Sequence, residues 1–134
     1  TDLLNTLSIP YTSQINFVHP STYISETNSL GIGNVFLQNC TIQSNCLFGN
    51  NNIISSNTII EHDTLIGNSN FFAAGTIVGA NVTIENSCFL GLNSTVREKC
   101  IIKENTFLGM GSLLLNSTNN DEIWYGVPAK KILK

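Results

Sequence analysis

The feature that most constrains the fold of this chain is an apolar residue that returns at every sixth position. A six-residue period matches neither the 3.6-residue period of an α-helix nor the alternation of an isolated strand. It matches a solenoid whose flat faces each take six residues, and we therefore predict a solenoid with these side chains as its core. The unbroken series is Val18, Ile24, Leu30, Phe36, Ile42, Phe48, Ile54, Ile60, Ile66, Phe72, Val78, Ile84, Leu90, Val96, Ile102, Leu108 and Leu114.

Two further columns of the repeat support a solenoid. Four positions after the apolar residue the side chain is mostly small or slender, as a narrow coil requires of residues that point inward. These residues include Cys40, Cys46, Thr58, Thr64, Thr76, Val82, Cys88, Ser94, Cys100, Thr106 and Ser112.

Three positions after the apolar residue we predict sharp corners, because residues that tolerate a positive φ collect there. They include Gly33, Asn39, Asn45, Asn51, Asn57, Asp63, Gly75, Asn81, Asn93, Asn105 and Gly111.

This column pattern resembles the hexapeptide-repeat acyltransferases, whose chain winds as a left-handed parallel β-helix with three hexads per coil. The resemblance implies an all-β fold of a little under six coils, in which residues 18 apart stack on one another, with a short C-terminal tail. We expect a lead-in over residues 1–17, which resembles the connection leaving the small α/β domain of the family. The β-helix would occupy residues 18–115, and a loop and tail residues 116–134.

Length and composition agree with a single domain. The 134 residues, of 14.6 kDa, leave no room for a second core. No apolar run approaches the roughly 18 residues of a membrane helix, and the N-terminus lacks a signal-peptide pattern, so we expect a cytoplasmic protein with no membrane partner. The four cysteines fall on the small inward column without CxxC spacing, which predicts core packing and neither disulfides nor a zinc site.

Charge is distributed unevenly along the chain. Residues 1–96 contain no Lys or Arg, and all six bases come after them, in a chain of net charge −3. The net negative charge argues against a nucleic-acid partner. The basic C-terminal end instead predicts a small polyanionic ligand at that end of the molecule.

Two histidines limit the chemistry that the chain can perform. His19 and His62 are separated by more than two coils, which excludes a three-histidine zinc site, and we predict no metal. His62 is flanked by Glu61 and Asp63, whose carboxylates can fix the tautomer of the ring and raise its basicity. Position alone is equally compatible with a surface histidine capped by its acidic neighbours.

One coil after His62, the repeat places Gly79 and Ala80. A small side chain and backbone N–H groups would then lie beside the imidazole. A main-chain donor next to a general base is the arrangement needed to hold the oxyanion that develops on an acyl group. These residues favour acyl transfer with His62 as the base.

Several segments make the resemblance more specific. Residues 60–67, 74–75, 81–84, 89–94 and 126–130 are similar to the sialic-acid O-acetyltransferase-like branch. Within it they are most similar to bacterial N-acetyltransferases that act on nucleotide-linked 4-amino sugars in surface-glycan pathways. The resemblance covers roughly residues 16–131. It implies a homotrimeric enzyme that uses acetyl-CoA to acetylate the amine of an amino sugar.

The resemblance also implies roles for individual residues. His62 would be the general base, Asp63 would orient it, and the backbone at Gly79 and Ala80 would polarise the thioester carbonyl. The cofactor-binding residues would be Gly91, Leu92, Gly109, Met110 and Lys130. The basic C-terminal end also puts Lys103, Lys130 and Lys131 in a position to approach the phosphates of acetyl-CoA, and solubility is the alternative role of these lysines. A sugar O-acetyltransferase and a non-catalytic β-helix used for scaffolding or oligomerisation are the alternatives.

Overall fold

The computed structural model of the protein describes residues 15–132, which wind as a left-handed parallel β-helix of about six turns. The predicted fold class is confirmed. Each hexad contributes one short strand, and two longer strands follow the last coil. The strands are β1 (Phe17–Val18), β2 (Tyr23–Ile24), β3 (Ser29–Leu30), β4 (Val35–Phe36), β5 (Thr41–Ile42), β6 (Leu47–Phe48), β7 (Ile53–Ile54), β8 (Ile59–Ile60), β9 (Leu65–Ile66), β10 (Phe71–Phe72), β11 (Ile77–Val78), β12 (Thr83–Ile84), β13 (Phe89–Leu90), β14 (Thr95–Val96), β15 (Ile101–Ile102), β16 (Phe107–Leu108), β17 (Leu113–Leu114), β18 (Ile123–Gly126) and β19 (Ala129–Ile132).

The strands form three sheets, which are the faces of a triangular prism. Sheet A runs β1-β4-β7-β10-β13-β16-β18-β19, sheet B runs β2-β5-β8-β11-β14-β17, and sheet C runs β3-β6-β9-β12-β15. Within the prism all neighbours are parallel, and paired residues are 18 apart, as in Phe72↔Leu90. Successive coils are therefore stacked at the usual strand spacing of roughly 4.8 Å.

The predicted apolar column forms the core. From β4 to β17 the second residue of each strand is buried, and from Phe36 to Leu114 the column is at most 6% exposed. Burial of each such side chain contributes about 1.5–3 kcal/mol. Val18 is 40% exposed, and Ile24 and Leu30 are only partly buried, because no described coil packs beneath the first one. Of the predicted lead-in, residues 1–14 lie outside the described range, and Phe17 already belongs to β1.

The corners of the prism lie where the repeat predicted them. All the Asn, Asp and Gly residues named for this position adopt a positive φ, between 53° and 75°. Ser69, Ser87 and Lys99 adopt the same conformation, although these residue types do not favour it. The same backbone conformation therefore recurs at every corner from Gly33 to Gly111, whichever residue stands there.

Asparagine also occupies part of the inward column, where the repeat predicts small or slender side chains. The Oδ1 atoms of Asn16, Asn34, Asn52 and Asn70 each accept a hydrogen bond from the backbone N–H 18 residues later, at 2.7–2.9 Å. Their Nδ2 groups donate to backbone carbonyls 15 residues later, at 2.8–3.0 Å. We call these four stacked asparagines the asparagine ladder. Their side chains form hydrogen bonds with backbone groups that would otherwise be buried without partners.

The C-terminal segment is more ordered than the predicted loop and tail. β18 joins sheet A parallel to β16, and β19 pairs antiparallel with β18 through a turn that contains the cis Val127–Pro128 peptide. Trp124 packs against the core, and its indole N–H donates to the buried Glu122 at 3.0 Å. This hairpin covers the last coil, as an open solenoid end requires.

The four cysteines are buried in the core with free thiols. Burial raises the pKa of each thiol, and that of Cys88 reaches about 11. Such thiols are protonated at neutral pH and make poor nucleophiles. Packing is therefore their role, as predicted. Within residues 15–132, no helix is long and apolar enough to cross a membrane.

Candidate active site

His62 lies on the prism corner between sheets B and C. Residues 61–63 lie between β8 and β9, and the same corner is formed one coil later by residues 79–81 and two coils later by residues 97–99. We call these three segments the His62 edge. The N–H of Asn81 donates to the carbonyl of His62 at 3.0 Å, which stacks the second segment directly on the first.

The imidazole of His62 is paired with the carboxylate of the next residue. Nδ1 of His62 lies 2.7 Å from Oδ2 of Asp63, and about half of each side chain is exposed. An ionised carboxylate is only an acceptor, so this bond requires the proton on Nδ1 and leaves the lone pair on Nε2. The hydrogen bond from His62 lowers the pKa of Asp63, which therefore stays charged at neutral pH.

The backbone one coil later provides one available donor. The N–H of Gly79 already donates to the carbonyl of Val96 at 2.9 Å. The Ala80 N–H makes no hydrogen bond with any described residue, and Ala80 is only half-buried. Of the two predicted oxyanion donors, Ala80 is thus the one whose N–H is free to bind a ligand.

Gly79 serves the stacking of the coils. A Cβ at this position would lie 2.6 Å from the backbone N of Glu98. Its missing side chain lets the coil that carries Ala80 approach the following coil closely. Replacement by a larger residue would shift the backbone at the centre of the His62 edge.

The predicted cofactor residues lie on another edge of the prism. Gly91 and Leu92 follow β13, and Gly109 and Met110 follow β16, so both pairs are on the corner between sheets A and B. Leu92 is 49% and Met110 71% exposed, and the two stack 18 residues apart. The structure brings these four residues together, but not on the edge that carries His62.

Other residues of the chain occupy the space beside Gly91 and Gly109, so a ligand cannot contact these two glycines closely. A Cβ on Gly91 would lie 2.5 Å from the backbone N of Met110, so this glycine allows close coil stacking. A Cβ on Gly109 would collide with the ring of Tyr125, which covers it. On this edge, the side chains of Leu92 and Met110 are exposed and can contact a ligand or a neighbouring chain.

The lysines predicted to approach phosphates have different environments. Lys103 pairs with Glu85 at 2.7 Å, and Lys131 pairs with the buried Glu122 at 2.9 Å. Both ammonium groups are therefore engaged within the chain. Lys130 is exposed on β19 opposite Tyr125, and it makes no ion pair with the residues that the structure describes.

Two surface cavities of the described chain lie away from His62. The larger, of about 570 Å³, is a trough on sheet C that includes Leu47, Leu65 and Thr83. The smaller, of about 290 Å³, is lined by polar residues such as Glu104 and Asp121. Neither includes a residue of the His62 edge, which is a convex corner of the single chain.

Sequence reasoning overlooked two cations on the His62 edge. Arg97 and Lys99 lie one coil after Gly79 and Asn81, and the Lys99 N–H donates to the Ala80 carbonyl at 3.0 Å. The 18-residue offset that located Ala80 from His62 would also have located them.

Comparison with known proteins identifies relatives with the same fold. The family model of the GMPPB C-terminal domain matches residues 13–123. A search of curated protein sequences found no match. Among solved structures, PerB from Caulobacter crescentus, in complex with CoA and GDP-perosamine, is 25% identical with a TM-score of 0.88, over 90% of this chain and 58% of PerB.

Two other solved structures are similar. WeeI from Acinetobacter baumannii is 21% identical with a TM-score of 0.90, over 98% of this chain and 63% of WeeI. The acetyltransferase domain of PglB from Neisseria gonorrhoeae, in complex with acetyl coenzyme A, is 18% identical with a TM-score of 0.83, over 87% of this chain and 57% of that domain. The chain spans about 58% of the length of PerB.

Proposed function

The chain belongs to the GMPPB C-terminal domain family, and from that premise we propose that it is an acetyl-CoA-dependent N-acetyltransferase of an amino sugar, most simply a nucleotide-linked one. PerB, described with CoA and GDP-perosamine, supports the choice of substrates. The observation that carries the proposal is the His62–Asp63 pair, which lies one coil before an Ala80 N–H that has no partner among the described residues.

In the proposed reaction, the neutral amine of the sugar attacks the carbonyl carbon of the acetyl thioester. Nε2 of His62 accepts the proton that the amine loses, and Asp63 stabilises the imidazolium that forms. The Ala80 N–H donates to the oxyanion of the tetrahedral intermediate. When the C–S bond breaks, His62 returns the proton to the departing sulfur, so CoA leaves as a thiol. The transfer is direct and forms no covalent enzyme intermediate.

The active unit is proposed to be a homotrimer. His62 lies on one edge of the prism, whereas the exposed Leu92 and Met110 lie on another. One molecule of acetyl-CoA can contact both surfaces if the second edge comes from a neighbouring chain. A head-to-tail interface repeated three times closes into a ring and completes this groove at every His62. Since acetyl-CoA is a cytoplasmic metabolite, the same proposal puts the enzyme in the cytoplasm.

Replacement of His62 tests the catalytic assignment. We expect H62A to lower kcat about 100-fold to 10,000-fold, the usual contribution of a general acid–base group. CoA affinity and thermal stability should change little, because the half-exposed ring contributes little to the core. The measurement is release of the CoA thiol from acetyl-CoA in the presence of GDP-perosamine and other nucleotide-linked 4-amino sugars.

The second histidine offers a matched control. His19 lies in the first coil, where its Nδ1 bonds to Ser21 at 2.8 Å. H19A removes an imidazole of the same type and should keep the wild-type kcat. An H62A enzyme as active as H19A would disprove the general-base role.

A further inference from the structure

Two cations lie on the His62 edge, two coils beyond His62 itself. Arg97, Glu98 and Lys99 form the corner that follows β14, and all three are exposed. The hydrogen bond from the Lys99 N–H to the Ala80 carbonyl, at 3.0 Å, stacks this corner on the coil that offers the free amide. The cations thus lie on the same line of corners as the candidate base and the candidate oxyanion donor.

Arg97 and Lys99 differ from Lys103 and Lys131 in having no ion pair among the described residues. Residues 1–96 contain no Lys or Arg, and Lys103 and Lys131 are paired with carboxylates at 2.7 Å and 2.9 Å. Within residues 15–132, no carboxylate oxygen lies within 4.0 Å of a side-chain nitrogen of Arg97 or Lys99. An exposed cation without an ion pair can bind an anionic ligand without first losing a partner.

Lys99 stands in a backbone conformation that does not suit it. Its φ is 64°, in the left-handed region, and every other described residue with a positive φ is Asn, Asp, Ser or Gly. The lysine side chain does not stabilise this left-handed conformation, which Asn and Gly adopt more readily. A residue kept in a disfavoured conformation beside a candidate site is a reason to look for a function of its side chain.

We propose that Arg97 and Lys99 form a phosphate-binding subsite, which takes a phosphate or diphosphate group of a substrate whose reacting end lies at His62. The proposal rests on the proposed function. Arginine offers a planar fork of N–H donors that matches phosphate oxygens, and lysine adds a compact charge. Two coils, roughly 10 Å along the prism, separate the reacting end from the anionic end.

Both substrates of the proposed reaction carry such a group. Acetyl-CoA has a diphosphate and a 3′-phosphate, and a nucleotide-linked sugar has a diphosphate next to the ring that bears the amine. The Glu98 carboxylate lies between the two cations in sequence and repels either anion. Its removal should therefore strengthen binding, whereas removal of either cation should weaken it.

The test is a calorimetric titration of wild type, R97Q, K99N and E98Q with CoA, GDP and UDP. At low salt we expect R97Q and K99N each to weaken binding about threefold to tenfold, and E98Q to tighten it about twofold. Added salt should reduce these differences, because the groups are exposed. Effects confined to CoA assign the subsite to the acetyl donor, and effects confined to GDP or UDP assign it to the acceptor.

A second corner supplies the matched control. Ser69 has a φ of 59° on the edge between sheets C and A, away from His62. Because asparagine suits a left-handed corner, K99N and S69N should both keep or raise the thermal midpoint. S69N should leave ligand affinity unchanged, so a weaker affinity in K99N cannot come from a damaged fold.

The outcomes separate this inference from the proposed function. If wild type binds CoA or a nucleotide and R97Q and K99N bind it equally well, the subsite is disproved and the proposed activity stands. If wild type binds no CoA but binds GDP or UDP through Arg97 and Lys99, the subsite stands and the acetyltransferase proposal fails. If wild type binds none of the three ligands, both proposals fail.

Discussion

Glu122 is a buried carboxylate that its neighbours keep charged. Burial by itself raises its pKa, but hydrogen bonds from the Asn119 N–H, the Lys131 ammonium and the Trp124 indole outweigh this effect and lower the pKa to about 2. Between pH 4.5 and 2 the folded chain therefore binds fewer protons at Glu122 than the unfolded chain. The carboxylate stabilises the fold above pH 4.5, and this contribution is lost as the pH falls toward 2.

Replacement of Glu122 by glutamine should show this dependence. We expect E122Q to lower the free energy of unfolding by about 1.5–3 kcal/mol at pH 7, the usual cost of losing hydrogen bonds to a charged group. The difference from wild type should shrink between pH 4.5 and 2. Urea unfolding at several pH values measures it, with the exposed Glu26→Gln as a control that changes stability by less than about 0.5 kcal/mol. A difference independent of pH would contradict the explanation.

At the scale of the coil, the asparagine ladder links one turn to the next. Asn52 is fully buried; its Oδ1 accepts from the Asn70 N–H at 2.9 Å, and its Nδ2 donates to the Gly67 carbonyl at 2.9 Å. Thr64, in the same inward column, makes weaker bonds of both kinds, to the Gly79 carbonyl at 3.3 Å and from the Val82 N–H at 3.4 Å. The column therefore accepts different residues that satisfy the same backbone groups.

Two substitutions of Asn52 test the role of the ladder. N52A leaves the buried Asn70 N–H and the part-buried Gly67 carbonyl without these partners, and should cost about 2–4 kcal/mol of unfolding free energy. N52T can restore both kinds of bond and should cost less. Chemical denaturation distinguishes them, and equal losses in the two variants would show that only the volume of the side chain matters.

At the scale of the whole molecule, the proposed trimer would make activity depend on assembly. Met110 is 71% exposed in the single chain, so M110E should leave the fold of that chain intact. In the proposed trimer it would bring a charge into the groove between chains, and we expect loss of both the trimer and the activity. Light scattering should give three times the 14.6 kDa chain mass for wild type and a lower mass for M110E.

Gln38 provides the control for assembly. It occupies the same corner position as Met110 four coils earlier, and it is also exposed. Q38E keeps the acceptor oxygen that bonds Ser56 and should remain trimeric. A wild-type protein with a mass of 14.6 kDa in solution would disprove the proposed groove between chains. A trimeric M110E would show that the interface between chains lies on another edge.

The periodic features could be read from the sequence alone, because in a solenoid local spacing determines position. A residue such as Phe72 is buried and one such as Asn81 turns a corner as a result of its place in the hexad. The same rule placed Ala80 one coil after His62. Adjacent residues also need no tertiary information, which is why the pairing of His62 with Asp63 could be expected.

Only the tertiary structure decided features that depend on the contacts of individual groups or on what lies outside the repeat. It showed that the Gly79 N–H is bonded to the Val96 carbonyl, whereas the Ala80 N–H has no partner among the described residues. The hairpin of β18 and β19 brings Lys131 into an ion pair with Glu122. The sequence of this hairpin does not follow the six-residue repeat, so the repeat could not predict the pair. The physical reason is that a six-residue repeat specifies stacking along the prism, whereas ion pairs, end caps and available amides depend on contacts that individual side chains make across it.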